Sequence, residues 1–444
     1  MLSLLKMFPG VVLLVVLSAA QDDRSRPSAA FIDVNVVTGD SEQILRNQTV
    51  VIEGDRIVEV GSADQVTAPS GATSINGAGK YLIPGIGEMH GHIPPPGDPE
   101  LERVLFLYVA NGVTTVRGML GFPGQLELRG RVLRGELPGP TLYLAGPSFS
   151  GSSIDSPEQA EERVRRQKAE GWDLLKVHPG LTREEFDAMA RTAREVGIRF
   201  AGHVPADVGL LHALQSGLET VDHLDGYIEH LDGERASIPE SALREIARRT
   251  KEAKAWVVPT MILWETLLGT HSLETLKAYD GIDYMPRTQI ERWITAQRER
   301  VERPGFSREE ALRIAENRKR LLRVLSEEGV RILFGTDSPQ QFSVPGFSIH
   351  RELRAMREAG MSPAEIIRSA TANVGAYFAS KDKFGLVKPG MRADLILLHE
   401  NPLADLGAVQ KRTGVMLRGR WIPEAEIQRL LAELEVGNRQ SATE

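Results

Sequence analysis

Short apolar runs separated by turns mark both ends of the chain. Between residues 30 and 80 these runs are rich in Val and Ile, and Gly54-Asp55 supplies a tight turn between two of them. The same pattern returns near the C-terminus, where Lys388-Pro389-Gly390 precedes the apolar run 394–398. Neither piece alone buries a sheet face. The pattern therefore predicts one composite β-sandwich domain from residues 30–80 and 384–425, followed by a C-terminal helix and tail over 426–444.

Between about residues 81 and 380, strand-like apolar runs alternate with helix-like segments. The eight runs, in chain order, are 82–83, 113–116, 141–144, 174–177, 198–200, 219–221, 256–258 and 330–334. Alternation of this kind is typical of parallel βαβ units, and eight of them predict an α/β fold with a (β/α)8 TIM-type barrel. An open doubly wound sheet is the competing architecture. No Gly-x-Gly-x-x-Gly follows the first strand, which counts against a dinucleotide-binding version.

One segment, about 263–328, interrupts this alternation with a long helical pattern that includes Trp264, Tyr279 and Trp293. An insertion at the carboxyl end of a barrel strand can cap an active site. Additional helical packing explains the pattern equally well. The aromatic side chains also suit a subunit interface, so a homo-oligomer is compatible with the sequence.

The first twenty residues have the three-part plan of a secretory signal peptide. Lys6 precedes an apolar run from Phe8 to Leu17, and Ser18-Ala19-Ala20 supplies the small residues of a cleavage site. A membrane anchor is the alternative, but a spanning helix needs about 20 apolar residues. We therefore expect residues 1–20 to be removed and the protein to be exported, periplasmic or secreted, without stable membrane insertion.

Composition narrows the chemistry that the mature chain can perform. The formal net charge of −7 argues against a broad basic face for nucleic acid, so we expect a small-molecule substrate. The chain has no cysteine, which excludes disulfides, thiolate metal sites and cysteine nucleophiles. Any metal ion must therefore be held by His, Asp, Glu or Lys.

Candidate ligands follow the predicted strands at their carboxyl ends. His90-Gly91-His92 follows the first strand, and alternate residues of an extended segment face the same way. In a barrel the ends of the other strands converge on the same face. A lysine inside an apolar strand is costly unless it is paired or converted by carbon dioxide into an anionic carbamate. The set suits zinc and similar ions and consists of His90, His92, Lys176, His203, His223 and Asp337.

This constellation resembles the amidohydrolase superfamily. The matching motifs are Pro84-Gly85-Ile86-Gly87-Glu88-Met89-His90-Gly91-His92, Lys176-Val177-His178, Gly202-His203, Asp222-His223, Gly335-Thr336-Asp337-Ser338 and the segment 386–395. The chain is most similar to the exported branch with imidazolonepropionase-like and prolidase-like members. In that branch the ligand that bridges two metal ions is a carboxylated lysine.

The resemblance implies a role for each residue of the set. His90, His92 and Asp337 would hold one divalent ion, His203 and His223 a second, and a carbamate on Lys176 would bridge them. Zinc is the first choice, although the ligand types also suit manganese and cobalt. A metal-bridging hydroxide would attack the carbonyl, and Asp337 would act as the catalytic residue that passes its proton to the leaving amine. The predicted activity is hydrolysis of an amide, cyclic amide or related C–N bond.

Two other functions stay open. A prolidase-like metallodipeptidase fits the resemblance, but the segment 145–151 lacks the His that dipeptidase-like relatives place near the substrate carboxylate. A catalytically silent barrel that serves as a binding protein is the non-enzymatic alternative. His178, Tyr227 and Arg117 are candidate substrate-binding residues. Their alternatives are a loop histidine, a packed loop tyrosine and an ion-paired arginine.

Overall fold

The computed structural model describes residues 28–441, so the predicted signal peptide, 1–20, lies outside the described residues. None of the described helices combines the length and the apolar composition needed to cross a bilayer.

Strands and helices are numbered in chain order. The strands are β1 (Ala29–Val37), β2 (Ile44–Glu53), β3 (Arg56–Ser62), β4 (Thr73–Asn76), β5 (Tyr81–Pro84), β6 (Ile86–Gly91), β7 (Val113–Gly118), β8 (Thr141–Leu144), β9 (Leu174–Val177), β10 (Arg199–Gly202), β11 (Thr220–Asp222), β12 (Trp256–Val258), β13 (Arg331–Ile332), β14 (Leu395–Leu398), β15 (Arg412–Leu417) and β16 (Arg420–Pro423). The α-helices are α1 (Leu101–Ala110), α2 (Gln125–Leu133), α3 (Pro157–Glu170), α4 (Arg183–Val196), α5 (Leu210–Gln215), α6 (Tyr227–His230), α7 (Glu240–Glu252), α8 (Met261–Leu267), α9 (Leu273–Lys277), α10 (Arg287–Glu302), α11 (Arg308–Glu327), α12 (Ile349–Glu358), α13 (Pro363–Ala370), α14 (Ala372–Tyr377) and α15 (Glu424–Ser441). Two 3-10 helices cover Ile282–Tyr284 and Leu406–Gln410.

Both ends of the described chain meet in one sheet. Its strand order is β16-β15-β14-β5-β1-β2-β3, with β4 paired to β1, and the antiparallel pair β5–β14 joins the two ends. Side chains alternate across this junction: Leu82, Leu395 and Leu397 pack in a core of the composite sheet, whereas Ile83 and Ile396 pack against the parallel strands. Alternate burial of this kind is the ordinary consequence of the pleat.

The sheet pairing corrects one strand assignment. Residues 82–83, expected as the first strand of the alternating region, belong to β5 of the composite sheet, and β6 opens the parallel strands instead. The two strands are separated only by Gly85. The hydrophobic pattern is similar on both sides of that glycine because most of β5 and all of β6 are buried.

The remaining eight strands are parallel and alternate with helices. They form one sheet of order β6-β7-β8 and another of order β13-β12-β11-β10-β9. Hydrogen bonds connect the two sheets on both sides: Gly146 N donates to Leu174 O at 3.1 Å, and Met89 N donates to Phe334 O at 2.9 Å. The carboxyl ends of these strands carry the predicted ligands.

The predicted insertion is helical, as its pattern indicates, and comprises α8 to α11. Its side chains Leu276, Met285 and Trp293 share an apolar cluster with Phe106 of α1 and Ile427 of α15. Part of the insertion is therefore packed between the barrel region and the C-terminal helix.

Candidate metal centre

The carboxyl end of β6 presents two imidazoles separated by a glycine. A Cβ atom at Gly91 would lie 2.8 Å from Val116 Cγ1 and 2.9 Å from the Tyr108 hydroxyl oxygen, closer than real Cβ contacts allow. The hydroxyl of Tyr108 also donates to Ser338 O at 2.6 Å. Glycine at this position therefore lets β6 pack closely while His90 and His92 reach the same region.

Asp337 and Lys176 meet these imidazoles from other strands. His92 Nε2 lies 2.6 Å from Asp337 Oδ1, and His90 Nε2 lies 3.7 Å from the same oxygen. The Nζ atom of Lys176, at the end of β9, is 3.0 Å from His90 Nε2. One candidate ligand atom each from His90, His223 and Asp337 lie within 4.8 Å of one another.

The other two predicted ligands complete the cluster. The ring centroids of His90 and His223 are 4.2 Å apart, and those of His203 and His223 are 4.6 Å apart. The structure thus brings all six predicted ligand residues together. His178 lies at the edge of the same group, with its ring centroid 4.9 Å from that of His203.

Three of the imidazoles are held through Nδ1 by side chains that sequence reasoning did not assign. His90 Nδ1 lies 2.7 Å from Asp222 Oδ2, and His203 Nδ1 lies 2.6 Å from Asp225 Oδ2. His223 Nδ1 lies 2.8 Å from the hydroxyl of Thr260. The two carboxylates accept a hydrogen bond and so favour the tautomer that leaves Nε2 available to a metal ion, and the Thr260 hydroxyl orients the ring of His223.

The fit to a metal ion rests on His223 Nε2. This atom is buried and has no hydrogen-bond partner among the residues that the structure describes. A buried polar atom without a partner costs about 1–3 kcal/mol, so native proteins rarely leave one. A divalent cation would supply the missing partner, and the surrounding nitrogen and oxygen donors are those that zinc and related ions accept.

Burial also sets the protonation of the site. It lowers the pKa of His90 and of His223 well below the ordinary value, an effect that the nearby Lys176 strengthens. Both rings are therefore neutral at pH 7, which is the form that binds metal ions. Burial lowers the pKa of Lys176 to about 8, although Asp222 and Asp337 oppose the shift. For His178, burial and the neighbouring Lys176 lower the pKa to about 3.

Glu88 is a further buried carboxyl group that ties β6 to the segment of Asp337. Its Oε1 accepts hydrogen bonds from His90 N at 3.0 Å and Thr336 N at 2.8 Å, and its Oε2 accepts one from Thr336 Oγ1 at 2.6 Å. Burial raises its pKa to about 8 against these hydrogen bonds.

Some of these supporting residues carried a sequence signal and others did not. Glu88 alternates with His90 and His92, and Asp222 and Asp225 flank His223 within three residues. Alternation and adjacency could have identified them. Thr260 reaches His223 only because β11 and β12 are paired, which no local pattern reveals.

Two candidate substrate residues have other partners. Arg117 is fully buried, and its Nη2 donates to both carboxylate oxygens of Asp222, at 3.0 and 3.1 Å. Tyr227 is fully buried as well, with its hydroxyl 2.8 Å from Thr250 Oγ1 on α7. These contacts correct the prediction that either side chain faces a substrate: Arg117 is the ion-paired arginine and Tyr227 the packed tyrosine of the alternative interpretations.

Comparisons with known proteins bear on the same region. Residues 81–422 match the model of the amidohydrolase family. The ochratoxinase of Aspergillus niger is 22% identical over 449 aligned residues, which cover 86% of this chain and 83% of that protein.

Solved structures extend the likeness to the fold. A bottromycin amidohydrolase superposes with a TM-score of 0.74 at 22% identity, covering 94% of this chain and 92% of that one. A Xaa-Pro dipeptidase with methionine bound in its active site superposes with a TM-score of 0.68 at 20% identity, covering 89% of this chain and all of that one.

The family match spans most of the chain and includes every residue of the candidate metal centre. The structural neighbours imply a TIM-type barrel with mixed α and β content. The chain therefore belongs to the amidohydrolase family, and it is a hydrolase that acts on C–N bonds.

Proposed function

We propose that this protein is a metal-dependent amidohydrolase that cleaves an amide, cyclic amide or related C–N bond of a small molecule. The observation that carries the proposal is the buried, unpartnered Nε2 atom of His223 beside His90 and Asp337. His90, His92 and Asp337 would hold one ion, and His203 and His223 a second. The divalent ions, with zinc as first choice, would polarise the carbonyl and lower the pKa of a water molecule.

Lys176 is proposed to bridge the two ions as a carbamate. Its neutral amine adds to the carbon of carbon dioxide, forming an N–C bond and releasing one proton, so that a buried neutral amine becomes an anionic oxygen ligand. The lowered pKa of Lys176 favours the neutral amine that this reaction requires.

Asp337 is proposed to move the proton of the reaction. Only 6% of the residue is exposed, and Oδ1 is close to both His92 and His90. Its carboxylate would accept a proton from the attacking water and deliver it to the nitrogen of the leaving group. His178, at the edge of the cluster, is proposed to contact the substrate.

Two observations support an amide substrate: the activities named for similar proteins and the residues of the loop after β8. An ochratoxinase and a bottromycin amidohydrolase are among the similar proteins, and we extend their C–N chemistry to this chain. The loop after β8 offers Ser148, Ser150 and Ser153 but no histidine, which favours N-acyl or cyclic amides over free-carboxylate dipeptides. The likeness to a Xaa-Pro dipeptidase supports the alternative, a prolidase-like metallodipeptidase.

Two architectural features belong to the same proposal. Hydrogen bonds on both sides of the parallel sheets support a closed barrel. The composite sheet is proposed to fold over into a sandwich, because the rings of Phe31 on β1 and Trp421 on β16 have centroids 5.4 Å apart. β1 and β16 are four positions apart in the sheet order, and neighbouring strands are about 4.8 Å apart, so these rings could not come this close if the sheet were flat.

The protein is also proposed to be exported after loss of residues 1–20.

The test combines metal analysis with turnover. Protein purified with bicarbonate is expected to contain about two zinc-like ions per chain and to hydrolyse members of a panel of N-acyl amino acids, cyclic amides and Xaa-Pro dipeptides. Asp337→Asn is expected to lower kcat at least about 100-fold while the protein stays folded. Asp64→Asn, at an exposed turn of the composite sheet, is the matched control and keeps wild-type activity.

The alternatives predict different results. Selective turnover of the dipeptides would favour the metallodipeptidase. Wild-type protein without bound metal or turnover, even after metal addition, would favour a silent binding protein. Undiminished hydrolysis by the Asp337→Asn variant would contradict the proposed role of Asp337.

A further inference from the structure

A single turn after β11 supplies or supports most of the imidazoles in the metal centre. Within Asp222–Asp225, the first residue contacts His90 Nδ1, the second is His223 itself, and the last contacts His203 Nδ1. The turn is closed by a hydrogen bond of 3.2 Å from Asp225 N to Asp222 O. A small change in its backbone would therefore displace His223 and the partners of two other histidines together.

The backbone of this turn is strained. His223 has φ 64° and Leu224 has φ 54°, both in the left-handed region that residues with a Cβ atom rarely adopt. Such conformations persist only where the surroundings hold them. The peptide between these two residues is a point at which the turn would relax, because rotating that peptide changes ψ of His223 and φ of Leu224.

The carbonyl oxygen of that peptide, His223 O, accepts two hydrogen bonds from the helical insertion. Trp264 Nε1 on α8 donates to it at 2.8 Å, and Arg318 Nη2 on α11 also donates to it. The guanidinium carbon of Arg318 lies 3.9 Å from the centroid of the Trp264 ring, so the two donors also pack against each other.

Both donors are themselves held in place. Arg318 is only 2% exposed, although its Nε atom has no partner among the described residues. Helix α8 is fixed at its start, where Met261 N and Ile262 N donate to the buried carboxyl of Glu352 at 2.9 and 3.0 Å. Burying an arginine is costly unless it makes a necessary contact, and here the contact is the His223 carbonyl.

We propose that Arg318 and Trp264 are positioning residues that clamp the Asp222–Asp225 turn and thereby align the ligands of the metal centre. The helical insertion thus has a role besides packing or covering the site: it holds the turn from which His223 projects. This inference rests on the proposed metal-dependent function and adds two residues that are not among the proposed metal ligands.

The test uses zinc and cobalt with the full-length protein stripped of metal by a chelator. Arg318→Met removes the guanidinium at similar length, Trp264→Phe keeps a ring but removes the donor, and Arg318→Lys restores a single donor. Arg320→Met is the control, because Arg320 lies on the same helix but donates to Ser237 at 2.8 Å. Zinc affinity is measured by chelator competition, Co²⁺ coordination by its visible absorption, and folding by thermal melting.

We expect Arg318→Met and Trp264→Phe to weaken zinc binding at least about tenfold and to change the Co²⁺ spectrum. Arg318→Lys should recover part of the affinity, and Arg320→Met should match the wild type. A merely structural role would lower the melting temperature and leave the Co²⁺ spectrum of the folded fraction unchanged. That result, or zinc affinities within about twofold of wild type, would overturn the clamp.

The two proposals fail in different ways. If the wild type binds neither zinc nor cobalt, the proposed function and the clamp are both wrong. If the wild type binds metal and the variants bind it equally well, only the clamp is wrong. If Arg318→Met does not fold, Trp264→Phe decides the question, because it removes one N–H group and keeps most of the ring.

Discussion

Lys176 is a basic side chain at a position where burial disfavours its charged form and nearby carboxylates favour it. It lies fully buried at the end of β9, with Nζ 3.0 Å from His90 Nε2, so a charged amine there is poorly solvated. The carboxylates of Asp222 and Asp337 offset this cost only in part, since the net effect is a pKa lowered to about 8. A lysine in this state is partly neutral near pH 7, whereas an exposed lysine with a pKa of about 10.4 is almost fully charged.

This difference predicts the pH dependence of carbamate formation in the metal-free protein. Below pH 8 the neutral fraction of Lys176 falls about tenfold per pH unit. At a fixed concentration of dissolved ¹³C-labelled carbon dioxide, the initial rate of labelling should therefore rise about tenfold between pH 6 and 7 and level off above pH 8. The carbamate carbon is followed by NMR spectroscopy. The signal should vanish in Lys176→Met and persist in Lys168→Met, which alters an exposed lysine. Labelling that continues to rise tenfold per unit through pH 10 would show that the amine is an ordinary one.

The sequence was sufficient to predict where the candidate metal ligands lie, but not what Arg117 contacts. The proximity of the six predicted ligand residues could be predicted because each lies near or just beyond the carboxyl end of a strand, and parallel strands end on a common face; they are His90, His92, Lys176, His203, His223 and Asp337. Arg117 could not be assigned, because its residue type suits a substrate anion and an internal carboxylate equally. Only the structure, in which the side chain of Arg117 on β7 contacts that of Asp222 on β11, shows that its partner is an internal carboxylate.

Among the strands and helices, β6 positions the imidazoles of His90 and His92 through its close packing. Gly91 faces Val116 of β7 and Tyr108 of α1 at distances that leave no room for a methyl group. The surrounding side chains are buried, so they cannot move aside without disturbing the core.

We therefore expect Gly91→Ala to displace the end of β6 and to lower metal content. Overpacking of this kind costs about 1–3 kcal/mol, which should appear as a lower melting temperature as well. Gly130→Ala on helix α2 is the control: its new methyl group would meet only the flexible end of Arg134, and alanine favours helix. Metal analysis and thermal melting report the two effects. Full metal content in the Gly91→Ala variant would mean that β6 tolerates the methyl group.

Element boundaries also explain the one strand that the pattern misassigned. Residues 82–83 are apolar, lie just before Gly85 and precede a buried strand, so the sequence fits the end of one sheet or the start of another. The antiparallel partner that settles the matter, β14, is more than 300 residues away. A long-range pairing of this kind has no local signature.

At the scale of the whole molecule, the composite sheet and the parallel strands share apolar cores. Ile396 and Leu398 of β14 pack in the same cluster as Ile86 and Val113 of the parallel strands. Leu395 and Leu397 of the same strand pack in the core of the composite sheet. One strand thus contributes to both cores, and neither unit can unfold without exposing apolar surface of the other.

This sharing predicts a single cooperative unfolding transition of the metal-free protein. Calorimetric and van't Hoff enthalpies should agree, and near-UV and far-UV circular dichroism should report the same midpoint. Leu398→Ala, at a fully buried position, should destabilise the protein by about 2–5 kcal/mol and shift both signals together. Leu133→Ala, at a half-exposed position of α2, should change stability by less than about 0.5 kcal/mol. Two separated transitions, with only one of them moved by Leu398→Ala, would show that β14 does not couple the two units. Coupling of this kind would make the composite sheet part of what keeps the carboxyl ends of the parallel strands, and hence the metal centre, in register.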